Sequence, residues 1–266
     1  MLMRPYRRTW RPGVQNPDTL SYISHPLYAS NAIQYYRSFL IITEDVKNII
    51  EYIEPDEINL KSYSFRIHSL FLRISIEVEA NLRAILIDNK LSQYEYRIPD
   101  YHLVDVSHKL SGYRFQVVRW KGDHGRFVPF GEWSSSHKLS WYQNYNLVKH
   151  DRQENFRLAN FENLITSYCG LCALIWSQFN TVDFTMHTRW GSATDNMGYQ
   201  PMTGDIVTIL PPDRSSFEEH EFYGFSYDDW NKIQAEEIDP FKNFDYHAIS
   251  LSRKKAAKTL RDNTSK

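Results

Sequence analysis

Residues 64–87, SFRIHSLFLRISIEVEANLRAILI, contain neither glycine nor proline and set apolar side chains around most of a helical axis. The pattern predicts a helix over about 62–88 that starts at Ser62 or Ser64, since serine caps the free N–H groups of a first turn. A rod that is apolar on nearly every side has to be covered by other elements, so the chain is constrained to a bundle built around it. Two polar groupings interrupt the rod. Arg66, Arg73 and Glu77 fall in one column, and Glu79 with Arg83 forms a pair four residues apart. Either these columns turn inward and find partners, or they run along the solvent edge of the bundle.

A second rod of the same kind, RLANFENLITSYCGLCALIWSQF at 157–179, is the natural packing mate of the first. NAIQYYRSFLIITEDVKNIIEYI at 31–53 adds a third helix, with Ser30 as its cap and Pro55 as its stop. A short helix is expected at about 100–109. YRFQVVRW and RFVPF flank the turn-like KGDHG and predict a β-hairpin within 113–130. PFGEWSSS then leads irregularly into a helix running from Ser140 through His150, with a break near Asp151 to Asn155. After residue 180 the helical signal fades to one short strand in TGDIVTILPP and one short helix in SYDDWNKIQAEEI.

The expected organisation is therefore mainly α. It comprises a basic arm at 1–29, a helical bundle over 30–180 carrying the hairpin insert, a mixed C-terminal appendage at 181–250 that covers the bundle, and a basic tail at 251–266. The first dozen residues of the arm contain Arg4, Arg7, Arg8 and Arg11 without an acid, and the tail carries six Lys and Arg against Asp262. Two uses fit such ends, contact with phosphate or simple solvation. The net charge is −1, so any attraction to a polyanion has to be local.

The basic start is not followed by an apolar leader segment, and the longest apolar run, around YCGLCALIW, falls well short of the roughly 20 residues needed to cross a bilayer. A cytosolic protein without membrane contact is expected. Cys169 and Cys172, three apart on the second rod, read as small core hydrophobes, and no metal or other cofactor is expected from the spacing of potential ligands.

WYQNYNLVKHDR, residues 141–152, carries the chemistry-bearing groups. On a helix, Tyr145, Asn146, Lys149 and His150 share a face about 140° wide, and Arg152 comes nearly under it; Leu147 and Val148 lie on the other arc and are expected to be buried. Such a face suits a phosphodiester, with His150 as proton carrier, Lys149 and Arg152 as cations, Asn146 as an orienting amide and Tyr145 as a platform for a base. Glu77 or Glu79 is expected to steady Lys149 or Arg152. Blander readings stand beside these: His150 stabilised as a cation by the helix end, Lys149 and Arg152 as solvated charges, Tyr145 as packing. Trp133 and Trp141 read as structural.

The order of elements, with IEVEANLRAIL, PFGEW, WYQNYNLVKHDR and RLANFENLITSYCGLCALIW, resembles a group of bacterial HEPN-like helical proteins over residues 30–180. The resemblance implies a HEPN-like helical bundle that forms a homodimer. It further implies either a metal-independent endoribonuclease of antiviral defence or toxin–antitoxin systems, or a catalytically silent scaffold that binds RNA, an antitoxin or another protein partner. The family motif is Arg, a polar residue, a short spacer and His. Asn146 and His150 match the polar and histidine positions, while the arginine position holds Tyr145, which offers neither a permanent cation nor a bidentate fork. Lys149 or Arg152 then has to supply the charge for cleavage to be retained.

Overall fold

The computed structural model describes residues 4–11, 21–91, 95–180, 206–223, 227–236 and 239–264. Two long helices cross the centre, α2 (Phe65–Asp88) and α7 (Phe161–Phe179), and α1 (Ala32–Ile50) packs beside them. Ser64 caps α2 by accepting from the Ile67 N–H at 3.2 Å, and Asn160 caps α7 from Asn163 at 3.0 Å. Both caps satisfy donors that the first turn leaves free. Ser30 does not cap α1. Asn31 holds that place with a left-handed backbone, and Ser30 turns its N–H and hydroxyl to Asp88 at 2.9 Å each.

Helix α7 is buried along its whole length, as its composition predicts. Cys169 and Cys172 lie inside it as free thiols, and burial pushes both well away from ionisation. Helix α2 is less enclosed than its composition suggests. Its outer side leaves Phe65 68 % and Ile76 55 % exposed, with Ile87 also open to solvent. Arg66 and Arg73 lie on that side too, Arg73 paired with Asp45 of α1.

Two short helices, α3 (Ile98–Tyr101) and α4 (Leu103–His108), lead into the hairpin formed by β1 (Arg114–Val117) and β2 (Arg126–Phe127). The hairpin is antiparallel with Phe115 opposite Phe127. Three α-helices follow up to residue 180: α5 (Ser140–His150), α6 (Arg152–Asn155) and α7. Most of the stretch expected to break the chain after His150 is thus the short helix α6, capped by Asp151.

The third strand, β3 (Val207–Leu210), comes from the segment expected to lie over the bundle as a cover. It instead pairs with β1 on the side away from β2, Ile209 opposite Phe115, and completes a three-stranded antiparallel sheet. Val207, Trp230 of α8 (Tyr227–Ala235) and Tyr246 at the start of α9 (Tyr246–Thr264) are all buried. The described C-terminal elements therefore contribute residues to the core, and the expected basic tail is largely the helix α9. The strand in TGDIVTILPP is borne out only from residue 206 onward, since 203–205 lie outside the described residues.

The N-terminal arm departs most from expectation. Arg8 is 0 % exposed and Arg11 is also buried. Arg8 binds the Asp88 carboxylate, the Ser30 carbonyl and Gln178 Oε1 (2.8 Å), while its guanidinium lies 4.8 Å from the Tyr35 ring. Gln178 extends the network to Asn81 at 3.0 Å, so the arm is tied to α2 and α7 at once. Arg11 reaches the Ser107 carbonyl and Glu221, and Arg4 and Arg7 pair with Glu236 and Asp239. Arg8 adopts a left-handed backbone (φ 50°), a conformation that costs a non-glycine residue about 1–2 kcal/mol and persists where its surroundings hold it. Among the described residues no helix is long and apolar enough to cross a membrane.

His108, fully buried, donates from Nε2 to the Arg8 carbonyl at 2.7 Å. Burial, reinforced by Arg11 and Arg8, pushes its pKa down to about 3. The folded state thus favours the neutral ring. Its contribution is complete above the unfolded value of about 6.5 and is lost as pH falls from there toward 3. The urea midpoint is expected to fall steadily from about pH 6.5 to 4, and His108→Gln to lose less over that interval. Arg8→Met, which strands the Asp88 charge, is expected to cost about 3–5 kcal/mol in urea unfolding; a loss below about 1 kcal/mol would show the arm to be dispensable.

Candidate functional site

Helix α5 is positioned from its first turn. Glu132 accepts from the Ser140 N–H and hydroxyl, the latter at 2.6 Å, placing a carboxylate at the helix N-terminus where the peptide dipoles favour it. Trp141 donates from Nε1 to the Pro129 carbonyl at 2.8 Å, and Phe130 packs against both Trp133 and Trp141. Trp133 and Trp141 are the structural residues their apolar context predicts, and the PFGEW segment is the socket that fixes where α5 begins.

The buried side of α5 comprises Trp141, Tyr142, Tyr145 and Val148. Tyr145 is 0 % exposed, with its ring edge-on to Phe71 at 6.3 Å and to Tyr142 at 5.4 Å. A ring enclosed in this way is not open to a nucleobase, which corrects the stacking role expected of it. Leu147 is a second correction: it is 49 % exposed, while its neighbour Val148 is buried as expected.

The polar groups fall on the remaining side. Asn146 is half-buried, and Lys149, His150 and Arg152 are exposed. Lys149 folds back so that its ammonium lies 5.2 Å from the centre of the Tyr145 ring. Partial burial works against the Lys149 charge, but the Tyr145 hydroxyl and the Glu79 carboxylate outweigh it and hold the pKa above its ordinary value. Asn146, His150 and Arg152 have no hydrogen bond or ion pair from their side chains among the described residues. The orienting contact expected between Asn146 and His150 is therefore not formed, and three polar groups at the α5–α6 junction remain open to a ligand.

The two supporting carboxylates separate. Glu79 accepts a hydrogen bond from the Tyr142 hydroxyl and contributes to the field at Lys149. Glu77 faces the other way, toward Ser38 of α1 and Asn81, and burial raises its pKa. It steadies neither Lys149 nor Arg152, because the two residues from Glu77 to Glu79 turn the helix by about 200°, from the α1 side to the α5 side.

One residue near the junction has no counterpart in the sequence reading. His68 on α2 is 7 % exposed, its buried Nε2 has no hydrogen-bond partner, and its ring lies 5.4 Å from that of Phe156. Burial lowers its pKa, and the Arg152 charge lowers it further. The only signal in the sequence is a histidine in the second turn of an apolar helix; that it meets Arg152 and Phe156 follows from the antiparallel packing of α5 on α2.

Phe156 also packs on Phe65, at 4.9 Å. Phe65 in turn lines a groove of about 720 Å³ between the end of α1 and the start of α2, with Tyr52, Arg66 and Arg73 also on its walls. The junction thus continues across aromatic rings into a concavity. Among the described residues no group of three or more His, Cys, Asp or Glu is placed to hold a metal ion. Comparison with protein-family models, curated proteins and solved structures finds no match to this chain.

The Tyr142 hydroxyl has Glu79 as its partner, whereas the Tyr145 hydroxyl is buried without a well-formed hydrogen bond. Tyr142→Phe is expected to cost about 1–3 kcal/mol in thermal or urea unfolding and Tyr145→Phe less than about 1 kcal/mol. The reverse order would mean that Tyr145, not Tyr142, joins α5 to α2.

Proposed function

We propose that this chain is a HEPN-like RNA-cleaving protein that acts as a symmetric pair, with the α5–α6 junction of each copy gripping an RNA phosphodiester and His150 moving the protons. The observation that carries this reading is the sorting of α5. Its packing residues are buried, while Lys149, His150 and Arg152 emerge exposed at one end with Asn146 a turn behind. An imidazole with two cations and an amide nearby is the equipment for phosphodiester chemistry.

In the reaction one imidazole takes the proton of the 2′-hydroxyl, and the 2′-oxygen then bonds to the adjacent phosphorus. The bond from phosphorus to the 5′-oxygen breaks, and a second imidazole gives that oxygen its proton. The products are a 2′,3′-cyclic phosphate and a 5′-hydroxyl. Lys149 and Arg152 stabilise the charge that builds on the phosphoryl oxygens. The second imidazole is His150 of the other copy, since a two-fold contact places the same residue on both sides of one cleft. The exposed apolar residues Phe65, Ile76 and Ile87 on the outer side of α2 supply surface for such a contact.

One observation favours a second reading, a scaffold that binds RNA or a protein partner without cutting. The position where the family carries arginine is Tyr145, uncharged and fully buried. Lys149, leaning over that ring, is the group that replaces the missing cation in the cleavage reading.

Incubation of the purified protein with total RNA in EDTA separates the two. Cleavage leaving 2′,3′-cyclic phosphate ends, reduced about 100-fold or more in His150→Ala, is the expected result. RNA retention without cleavage, weakened in a Lys149→Ala, Arg152→Ala double variant, identifies the scaffold. Neither cleavage nor binding overturns both.

A further inference from the structure

A second histidine site lies away from α5–α6, where α9 meets the bundle. His102, between α3 and α4, is buried, and its Nε2–H donates to the Trp133 carbonyl at 3.0 Å. That bond fixes the proton on Nε2 and leaves one lone pair on Nδ1. Arg253 of α9 brings Nη1 to that nitrogen at 2.8 Å, and His137, from the loop before α5, brings its own Nδ1 to the same atom at 2.8 Å. A single acceptor therefore holds α9 to the bundle at this point while a second imidazole faces it.

We propose that His102 is a proton-operated latch for α9. As a neutral ring it accepts from Arg253 and keeps the helix docked; as a cation it turns an N–H, which only His137 Nδ1 can accept, toward the guanidinium, repels Arg253 and frees the helix from about residue 250 onward. The geometry leaves little to compensate. The charged and titratable groups facing His102 are Arg253 from α9, His137 from the preceding loop and Asp105 from α4. Asp105 is the only anion among these, and its two oxygens already accept from the Ser111 N–H at 2.7 Å and the Ser111 hydroxyl at 2.9 Å.

The first turn of α9 is held by other means. Tyr246 is fully buried and bonds to the Ser107 hydroxyl, so release begins beyond it and leaves the bundle closed. The freed helix displays Lys254 and Lys255, already exposed in the docked state. Burial, with Arg253 and His137, lowers the His102 pKa in the docked state. The docking contribution is accordingly complete above the free-imidazole value of about 6.5 and fades as pH falls below it.

Amide hydrogen exchange of the full chain, followed by mass spectrometry at about pH 7.5 and 5.5 and corrected for intrinsic rates, tests the latch. In the wild type, exchange over residues 250–264 is expected to rise by up to about tenfold at the lower pH while α7 is unchanged. His102→Gln can accept from Arg253 and donate to the Trp133 carbonyl without titrating, and is expected to keep α9 protected at both pH values. Arg253→Ala leaves His102 in place and is expected to show fast exchange over 250–264 already at pH 7.5, with no further gain at 5.5. Equal protection of wild-type α9 at both pH values, or an acid response that survives in either variant, overturns the proposal.

Discussion

The buried guanidinium of Arg8 is the interaction on which the rest of the structure depends. A cation in the interior is tolerable only if its charge is matched and its donors are used, and Arg8 meets both conditions with Asp88, the Ser30 carbonyl and Gln178. Each partner belongs to a different part of the chain: the end of α2, the residue before the α1 cap, and the last turn of α7. A single side chain thus sets how three helices meet at one end of the bundle. Asn81 and Gln178 extend the network along the α2–α7 contact, which keeps polar atoms satisfied where two otherwise apolar rods cross.

Helix α5 shows how one short amphipathic segment divides its tasks. Four aromatic and aliphatic residues fasten it to α2 and α7, and the side chains of Asn146 and His150 bind nothing else among the described residues. Lys149 is the exception. It lies over the Tyr145 ring and within the field of Glu79, so its charge is held in place by the packing side of the helix. The uncharged, buried Tyr145 is therefore coupled to a cation one turn later.

Periodicity revealed the helices and the hairpin because both patterns are local: apolar spacing, an absence of glycine and proline, and a glycine-containing turn between alternating segments. It placed α2, α7 and α5 within a few residues, and it brought Lys149, His150 and Arg152 to one end of α5. What it missed is long-range. The strand at 207–210 reads as a strand from its own residues, but its partner β1 lies some ninety positions earlier, and no local pattern names that partner. The burial of Arg8 and Arg11 was hidden for the same reason: a cluster of arginines reads as solvated until Asp88 and Glu221, far away in the chain, are known to face it. Glu77 and Glu79 were told apart only by which neighbouring helix lies on each side of α2, and the inward turn of Tyr145 only by the placement of Phe71 and Tyr142.

The sheet has a consequence for how the chain is made. Its central strand emerges from the ribosome well before β3 exists, and the arm that carries Arg7 waits for Lys242, whose carbonyl accepts the Arg7 N–H at 3.1 Å. At roughly 5–20 residues per second, the nascent helices spend about 5–20 s with one sheet edge bare, and the arm waits longer still for Lys242. Closure of the molecule is thus a late event in biosynthesis, and through that interval the unpaired side of β1 is the place where a chaperone, or a stray strand from another nascent chain, finds its opening.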